Sequence, residues 1–224
     1  MEKGVIKDIV AWDIVNWSSA IKYWEDNVQV TNKNYECLEL GSSKGGMSLW
    51  LALNGNNVLC TDLNGPEDDA HRIHEKYSCT PRITYAAMDA TNIPYENHFD
   101  VVIFKSIVGG ISSGNQQNKA KTLNEIHKAL KPGGKLLFAE NLEATFLHKI
   151  LRRNFGTKGW NYLTFNEIKD VFSSYHKVHY KTTGFFGCMG RNEWQRNFLG
   201  NVDNMLSWVI PNKSKYIVIG VAEK

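Results

Sequence analysis

No apolar run in this sequence is long enough to cross a bilayer as a helix. The opening Met1-Glu2-Lys3-Gly4 leads into a mixed segment that lacks the apolar core of a signal peptide. Both absences set the expectation of a cytoplasmic protein without a transmembrane segment. Cysteine is scarce as well: Cys37, Cys60, Cys79 and Cys188 form no C-x-x-C pair, so free thiols in a reducing compartment are expected. An excess of charge of either sign is nearly missing. The formal net charge of +3 neither suggests a nucleic-acid footprint nor excludes an anionic substrate. Internal repeats and low-complexity segments are absent too.

What remains is an ordinary globular composition, 42% hydrophobic and 22% charged, over 224 residues, enough for one sizeable core. Its organising stretch is Tyr35-Glu36-Cys37-Leu38-Glu39-Leu40-Gly41-Ser42-Ser43-Lys44-Gly45-Gly46, followed by the apolar Met47 to Leu53. It reads as a buried strand, a glycine-rich turn and the opening of a helix. Gly41, Gly45 and Gly46 let the chain turn sharply and let a ligand approach the backbone. The helix that follows turns its free N–H groups toward the same crevice, where polar or negative groups are welcome. Such a turn also occurs for structural reasons alone, and its context decides.

That context is a series of strands ending in polar groups. Val58 to Asp62 is a short apolar strand, and Asp62 falls about twenty residues past the glycine turn, the spacing at which a carboxylate meets ribose hydroxyls. Ile83 to Asp89 is a third strand with a terminal carboxylate, Phe99 to Phe104 a fourth, and Lys135 to Glu140 a fifth. Lys105 and Ser106 leave the fourth strand toward the crevice. Gln116 to Leu130 is helical, with Ile126 and Leu130 inward, and Lys131-Pro132-Gly133-Gly134 stops it. Alternating strands and helices predict a mostly parallel sheet with helices on both faces.

The flanks are less regular. Asp8 to Asp26, rich in tryptophan and branched residues, suits an amphipathic helix packed on the sheet, with Trp17 or Trp24 as a wall of the pocket in the sharper reading. His71 and His74 share a helix face that reads as solvated. Phe146 to Lys158 carries His148, Lys149, Arg152, Arg153 and Lys158, either a solvated basic helix face or a docking surface for an anionic substrate. Thr164 and Glu167 suit a capping box. Val178-His179-Tyr180 and Tyr216 to Val221 are closing strands. Between them Gly184 to Pro211 is a long aromatic-rich insertion, readable as a lid, a dimer contact or a membrane-facing patch.

Taken together, Glu39-x-Gly41-x-Ser43-x-Gly45, Asp62, Asp89-Ala90-Thr91, Phe99 to Phe104 and Leu130 to Leu136 resemble, in order and spacing, the motifs of the class I S-adenosylmethionine-dependent methyltransferases. The resemblance spans roughly Tyr35 to Asn141 and returns weakly at the final strand. It implies a doubly wound, Rossmann-like α/β fold: seven strands, mostly parallel, the last one antiparallel, with helices on both faces. It implies S-adenosylmethionine as cofactor, leaving as S-adenosylhomocysteine, held by Glu39, Gly41, Ser42, Ser43, Gly45, Asp62, Leu63, Asp89, Ala90, Lys105, Ser106 and Trp17. Within that frame residues 1–34 are a helical lid, 35–141 the cofactor core and 142–224 the substrate side of a single domain.

The expected reaction is methyl transfer to a small or medium acceptor, a hydroxyl of a metabolite, sugar or lipid-like molecule. A hydroxyl acceptor needs a base within reach, and the candidates are Glu140, His148, His176 and His179, Glu140 and His148 foremost. Lys105-Ser106-Ile107-Val108 departs from the Asn/Asp-Pro-Pro-Tyr/Phe that the family uses for amino groups of nucleobases or glutamine, and no Pro-Cys nucleophile appears. Nucleic acid is therefore not an expected partner, nor is a metal; peripheral membrane contact and either a monomer or a homodimer fit. Two alternatives stay open. One is an inactive cofactor-binding module that regulates a partner, and the other is a nicotinamide-dependent dehydrogenase sharing the glycine turn and Asp62.

Overall fold

The structure is a computed structural model that describes residues 1–156 and 158–224. Seven strands form one sheet: β1 (Glu36–Leu40), β2 (Asn57–Asp62), β3 (Ile83–Ala87), β4 (Phe99–Lys105), β5 (Leu130–Asn141), β6 (Lys177–Thr183) and β7 (Ile217–Glu223). Their order is β3-β2-β1-β4-β5-β7-β6. The first five are parallel, and β7 lies antiparallel between β5 and β6. Strand order reverses between β1 and β4, so a crevice opens at their carboxyl ends, where ligands of open α/β sheets bind. The seven-stranded doubly wound sheet matches the expectation, including its antiparallel member.

Period-two alternation splits the core. Val101, Ile103, Leu137 and Ile219 face one side, and Val102, Phe104, Phe138 and Val218 the other. The first side is covered by α1 (Lys3–Val10), α2 (Ile14–Trp17), α3 (Ser19–Asn27) and α4 (Gly46–Leu53); the second by α6 (Val108–Ile111), α7 (Gln117–Ala129) and α9 (Ile168–Val171). The remaining helices are α5 (Asp68–Lys76), α8 (Phe146–Phe155) and α10 (Glu193–Leu206). Trp24 is fully buried against Trp50, and its indole N–H donates to the Gly220 carbonyl at 3.1 Å, tying α3 to β7.

Sequence expectations are corrected at the N-terminal helix, His74 and Thr164. Asp8 to Asp26 is not one helix: Ala11 (φ 70°) and Asp13 (φ 46°) take positive φ and separate α1 from α2, and Ser18 separates α2 from α3. The late insertion contains the fourteen-residue α10. His74 is not solvated; it is fully buried beneath the glycine turn. Thr164 is not the cap of a helix: α9 begins at Ile168 with Glu167 as its N-cap, and Thr164 and Glu167 bond each other in the preceding turn, the Glu167 N–H donating to Thr164 Oγ1 at 3.3 Å and the Thr164 hydroxyl to the Glu167 carboxylate at 2.9 Å.

Candidate active site

The glycine turn is held from below. Gly45 (φ 69°) leaves no room for a side chain, because a Cβ there would sit 2.6 Å from His74 Cε1. His74 Nε2 lies 2.8 Å from the Gly45 carbonyl, which can only accept, so Nε2 carries the proton and Nδ1 accepts from the Tyr85 hydroxyl at 2.8 Å. Burial lowers the pKa of this ring and keeps it neutral. From above, α1 lies directly on the turn: a Cβ on Gly46 would fall 2.0 Å from the Ile9 carbonyl oxygen.

Between turn and helix lies a cavity of about 620 Å³. Gly41, Ser42, Ser43, Lys44 and Met47 form its floor with Lys105, Ser106 and Asn141 from the ends of β4 and β5. Asp8, Ile9 and Trp12 roof it, and Arg152, Trp160, Tyr162, Cys188, Arg196 and Tyr216 close the far side. Ser42 is 6% exposed, lines the cavity and has a hydroxyl with no partner in the protein. A buried hydroxyl in that state is free to bond a group that enters the cavity.

Glu39 also lines the cavity, but its carboxylate is engaged: it accepts from the N–H groups of Met47 (3.1 Å) and Ser48 (2.8 Å) and from the Ser48 hydroxyl, anchoring the first turn of α4. Burial raises it to about 7. Asp62 accepts from Ser43 N–H at 2.8 Å and Leu63 N–H at 2.7 Å, one bond per oxygen, so each keeps a second lone pair. Asp89 uses Oδ1 twice on Thr91, at 2.8 Å and 2.9 Å. Met88 N–H donates to the Asp62 carbonyl at 2.8 Å, which sets the ends of β2 and β3 side by side. Asp62, the exposed Leu63, Asp89 and the buried Ala90 thus form a shelf beside the cavity, outside its enclosed part.

Lys105 stands at the floor with its ammonium 4.8 Å from the ring centroids of both Trp12 and Trp17. Desolvation lowers it to about 8, opposed by the Asp13, Glu39 and Glu140 carboxyls. Ser106 Oγ accepts from Asn141 Nδ2 at 2.5 Å. Trp17 corrects the sequence reading: it is 1% exposed, packed edge-on against Trp12 at 5.1 Å, and Trp12 is the tryptophan that meets the cavity.

Neither foremost base candidate is free to act as one. Glu140 is fully buried, with Ile107 and Val108 N–H on Oε2 at 2.8 and 2.7 Å and Asn141 N–H on Oε1 at 2.8 Å; it positions α6, and burial raises it to about 7. His148 Nε2 donates to the Phe185 carbonyl at 2.9 Å, so Nδ1 accepts from Thr145 Oγ1 at 2.7 Å. Burial lowers the His148 pKa, and both nitrogens are occupied. His176 and His179 are exposed beside and on β6, away from the cavity walls.

Sequence reasoning missed the far wall. Tyr216 donates its hydroxyl to buried Asp13 and accepts from Asn16 Nδ2 at 2.9 Å, while Asn16 also donates to Asp203 at 3.0 Å. Asp203 accepts from Phe186 and Gly187 N–H at 2.7 and 2.9 Å. Desolvation holds Asp13 at about 7. Arg152 was read as part of a basic helix; it is half-buried, stacks 3.9 Å over Tyr162 and donates to the Leu142 and Glu143 carbonyls. It also lines two further cavities, one of about 600 Å³ shared with Phe155, Cys188 and Arg196, and a basic cleft of about 390 Å³. Among the described residues no group of three His, Cys, Asp or Glu side chains is placed to hold a metal.

A reversing parallel sheet with a glycine turn after β1, carboxylates after β2 and β3, and an antiparallel β7 is the fold of the Rossmann-like methyltransferases. Residues 38–138 match the family model described as a methyltransferase domain. Similar solved structures include phosphoethanolamine N-methyltransferase 2 from Haemonchus contortus in complex with S-adenosyl-L-methionine (TM-score 0.63, 17% identity, 93% of this chain and 52% of that one). Geranyl diphosphate C-methyltransferase from Streptomyces coelicolor A3(2) is similar at TM-score 0.63 and 11% identity, over 92% of this chain and 79% of that one. The [4+2]-cyclase SpnF is similar at TM-score 0.60 and 14% identity, over 92% and 80%. The chain spans about half the length of the Haemonchus protein. No curated protein sequence matches it. Over residues 38–138 the chain is similar to the methyltransferase domain, and its fold is that of the class I S-adenosylmethionine-dependent methyltransferases.

Proposed function

We propose that this protein transfers the methyl group of S-adenosylmethionine to a hydroxyl of a small, anionic acceptor. The observation that carries the cofactor half is the orphaned Ser42 hydroxyl in a glycine-floored cavity beside the Asp62 and Asp89 shelf. Free lone pairs on Asp62 suit a ribose diol, Asp89 Oδ2 an adenine amine, and the enclosed floor the amino-acid tail. The bound cofactor supplies a methyl already activated on a sulfonium. The protein's own work is orientation and exclusion of water. Arg152 and Arg196, which line both the donor cavity and the adjoining 600 Å³ chamber, hold the acid group of the acceptor there. Lys105, lowered to about 8, takes the hydroxyl proton on its free amine form. The Haemonchus and Streptomyces proteins are named for acceptors that carry phosphate, which supports an anionic acceptor here. Free thiols and the absence of a membrane-crossing helix among the described residues support a cytoplasmic setting.

An inactive cofactor-binding module is the second reading, favoured by the engagement of Glu140 and His148. Calorimetric titration with S-adenosylmethionine, S-adenosylhomocysteine and NADH tests the site. Saturable binding of both adenosyl compounds and none of NADH is expected, and Asp62→Ala should weaken binding by about 1.5–3 kcal/mol. NADH binding alone would overturn the reading. Release of S-adenosylhomocysteine in the presence of cell extract separates enzyme from module.

A further inference from the structure

Ten of the thirteen exposed large apolar side chains among the described residues sit on α8, on α10 and just past its end. On α8 they include Phe146, Ile150 and Phe155, 76%, 42% and 77% exposed. On α10, Trp194, Phe198 and Met205 follow steps of four and seven and therefore share one face, with the Trp194 and Phe198 rings stacked at 6.4 Å. Trp208 continues the series at 85% exposure. Scattered single residues of this kind need no explanation, but a concentration on two neighbouring helices does.

The opposite face of α10 is spoken for. Gly200 packs on Val15, and Asp203 is buried in the Asn16 network. Both helices wall the 600 Å³ chamber, and Arg191 stands 6.0 Å over the Phe155 ring at its edge. The apolar residues thus flank the chamber into which the donor cavity opens.

The charges mixed with them are mainly basic; Glu143, at the border of the basic cleft, is tied to Lys149. From Phe146 to Asn166 the chain carries Lys149, Arg152, Arg153 and Lys158 and no aspartate or glutamate. The two acids of α10 face inward: Glu193 accepts the Asp13 and Ile14 N–H groups, and Asp203 is 3% exposed. A twofold dimer through this face would set like charges against one another. Aromatic and aliphatic side chains interleaved with Lys and Arg, without acids, are instead the composition that lies in the headgroup layer of an anionic bilayer.

We propose that α8 and α10 form a peripheral membrane-docking surface that seats the acceptor chamber on an anionic lipid bilayer. Docking holds the molecule at the headgroup layer by Trp194, Phe198, Trp208 and the α8 aromatics, with Arg153, Lys158 and Arg191 at phosphate level. The surface is separate from the adenosyl-binding shelf, so the proposal stands whether or not methyl transfer is the reaction.

The test is flotation of the full-length protein with vesicles of phosphatidylcholine alone and of phosphatidylcholine mixed with phosphatidylglycerol. Binding to the mixed vesicles at low salt, lost in high salt and weak on phosphatidylcholine, is expected. Arg153→Ser and Lys158→Ser should each reduce binding roughly fivefold. Trp194→Ser with Phe198→Ser should abolish it while the circular dichroism spectrum and melting point stay those of the wild type. Failure of the wild-type protein to bind mixed vesicles would overturn the proposal, as would binding unchanged by these substitutions. A molar mass by light scattering twice that of the chain, falling to the monomer in the Trp194→Ser, Phe198→Ser variant, would also overturn it by assigning the face to a second copy.

Discussion

Gly46→Ala sets two physical effects of opposite sign against each other. Gly46 opens α4 with ordinary right-handed backbone, and alanine in place of a helical glycine is worth about 0.5–1 kcal/mol of added stability. Packing demands the reverse. The new Cβ would sit 2.0 Å from the Ile9 carbonyl oxygen and 2.8 Å from its carbonyl carbon, where ordinary contact begins at 3.4 Å, so the backbone of α1 has to recede by about 1.4 Å. A backbone carbonyl cannot rotate aside as a side-chain tip can. Ile9 and Val10, each 1% exposed, lose much of their burial when α1 lifts, and full burial of such residues is worth about 1.5–3 kcal/mol each. Sterics therefore win, and the net loss is about 2–4 kcal/mol. Urea denaturation followed by tryptophan fluorescence measures it, and faster trypsin cleavage at Lys3 and Lys7 reports the lifted helix. Because Asp8, Ile9 and Trp12 roof the cavity, S-adenosylhomocysteine should also bind more weakly. A variant as stable as the wild type or more so, with unchanged affinity, would refute this account of the roof.

Two further outcomes follow from the buried charges. Asp13, Glu39 and Glu140 are each raised to about 7 by burial, so between the ordinary carboxylate range and pH 7 the native state holds protons that the unfolded chain has released. Their contribution is fully present below that range, is lost as pH rises through it and is flat above about 7; Glu39 alone contributes of order 3 kcal/mol. Urea midpoints against pH should fall across this window, less steeply in Glu39→Gln, and equal slopes would contradict the assignment. With an acceptor in hand, the rate against pH should rise with its midpoint near 8, where Lys105 loses its proton, and level off above that. Lys105→Met should lose about 100-fold in rate and keep its affinity for S-adenosylhomocysteine, and an unaltered pH profile would remove Lys105 from the chemistry.

The part of the molecule that was legible in the sequence is the part built from local signals. Strands β1 to β4 announce themselves as short apolar runs, with Gly41 past β1, Asp62 at the end of β2 and Asp89 past β3. What was not legible depends on residues far apart in the chain. Nothing near Trp17 says that it faces the core while Trp12 faces the cavity; Asp13, left-handed between them, turns the chain there. Glu140 looks like a base at a strand end until the N–H groups of Ile107 and Val108, from another loop, take up its carboxylate. Arg152 reads as surface because its neighbours Lys149 and Arg153 are surface, and only the fold turns it onto Tyr162. His74 was misread for the same reason, its partner Gly45 lying twenty-nine positions upstream.

The network joining Asp13 and Asn16 to Tyr216 has a consequence for biogenesis. Its members stand 200 and more positions apart, and the Trp24–Gly220 bond reaches just as far. A nascent chain leaving the ribosome therefore carries Asp13, Asn16 and Trp24 long before Tyr216 and Gly220 exist. Until Tyr216 and β7 emerge, the roof has no far wall to close against, and an apolar, tryptophan-rich surface stands open. This is the interval in which a ribosome-associated chaperone would engage the chain, and the donor pocket comes into being only as that interval ends.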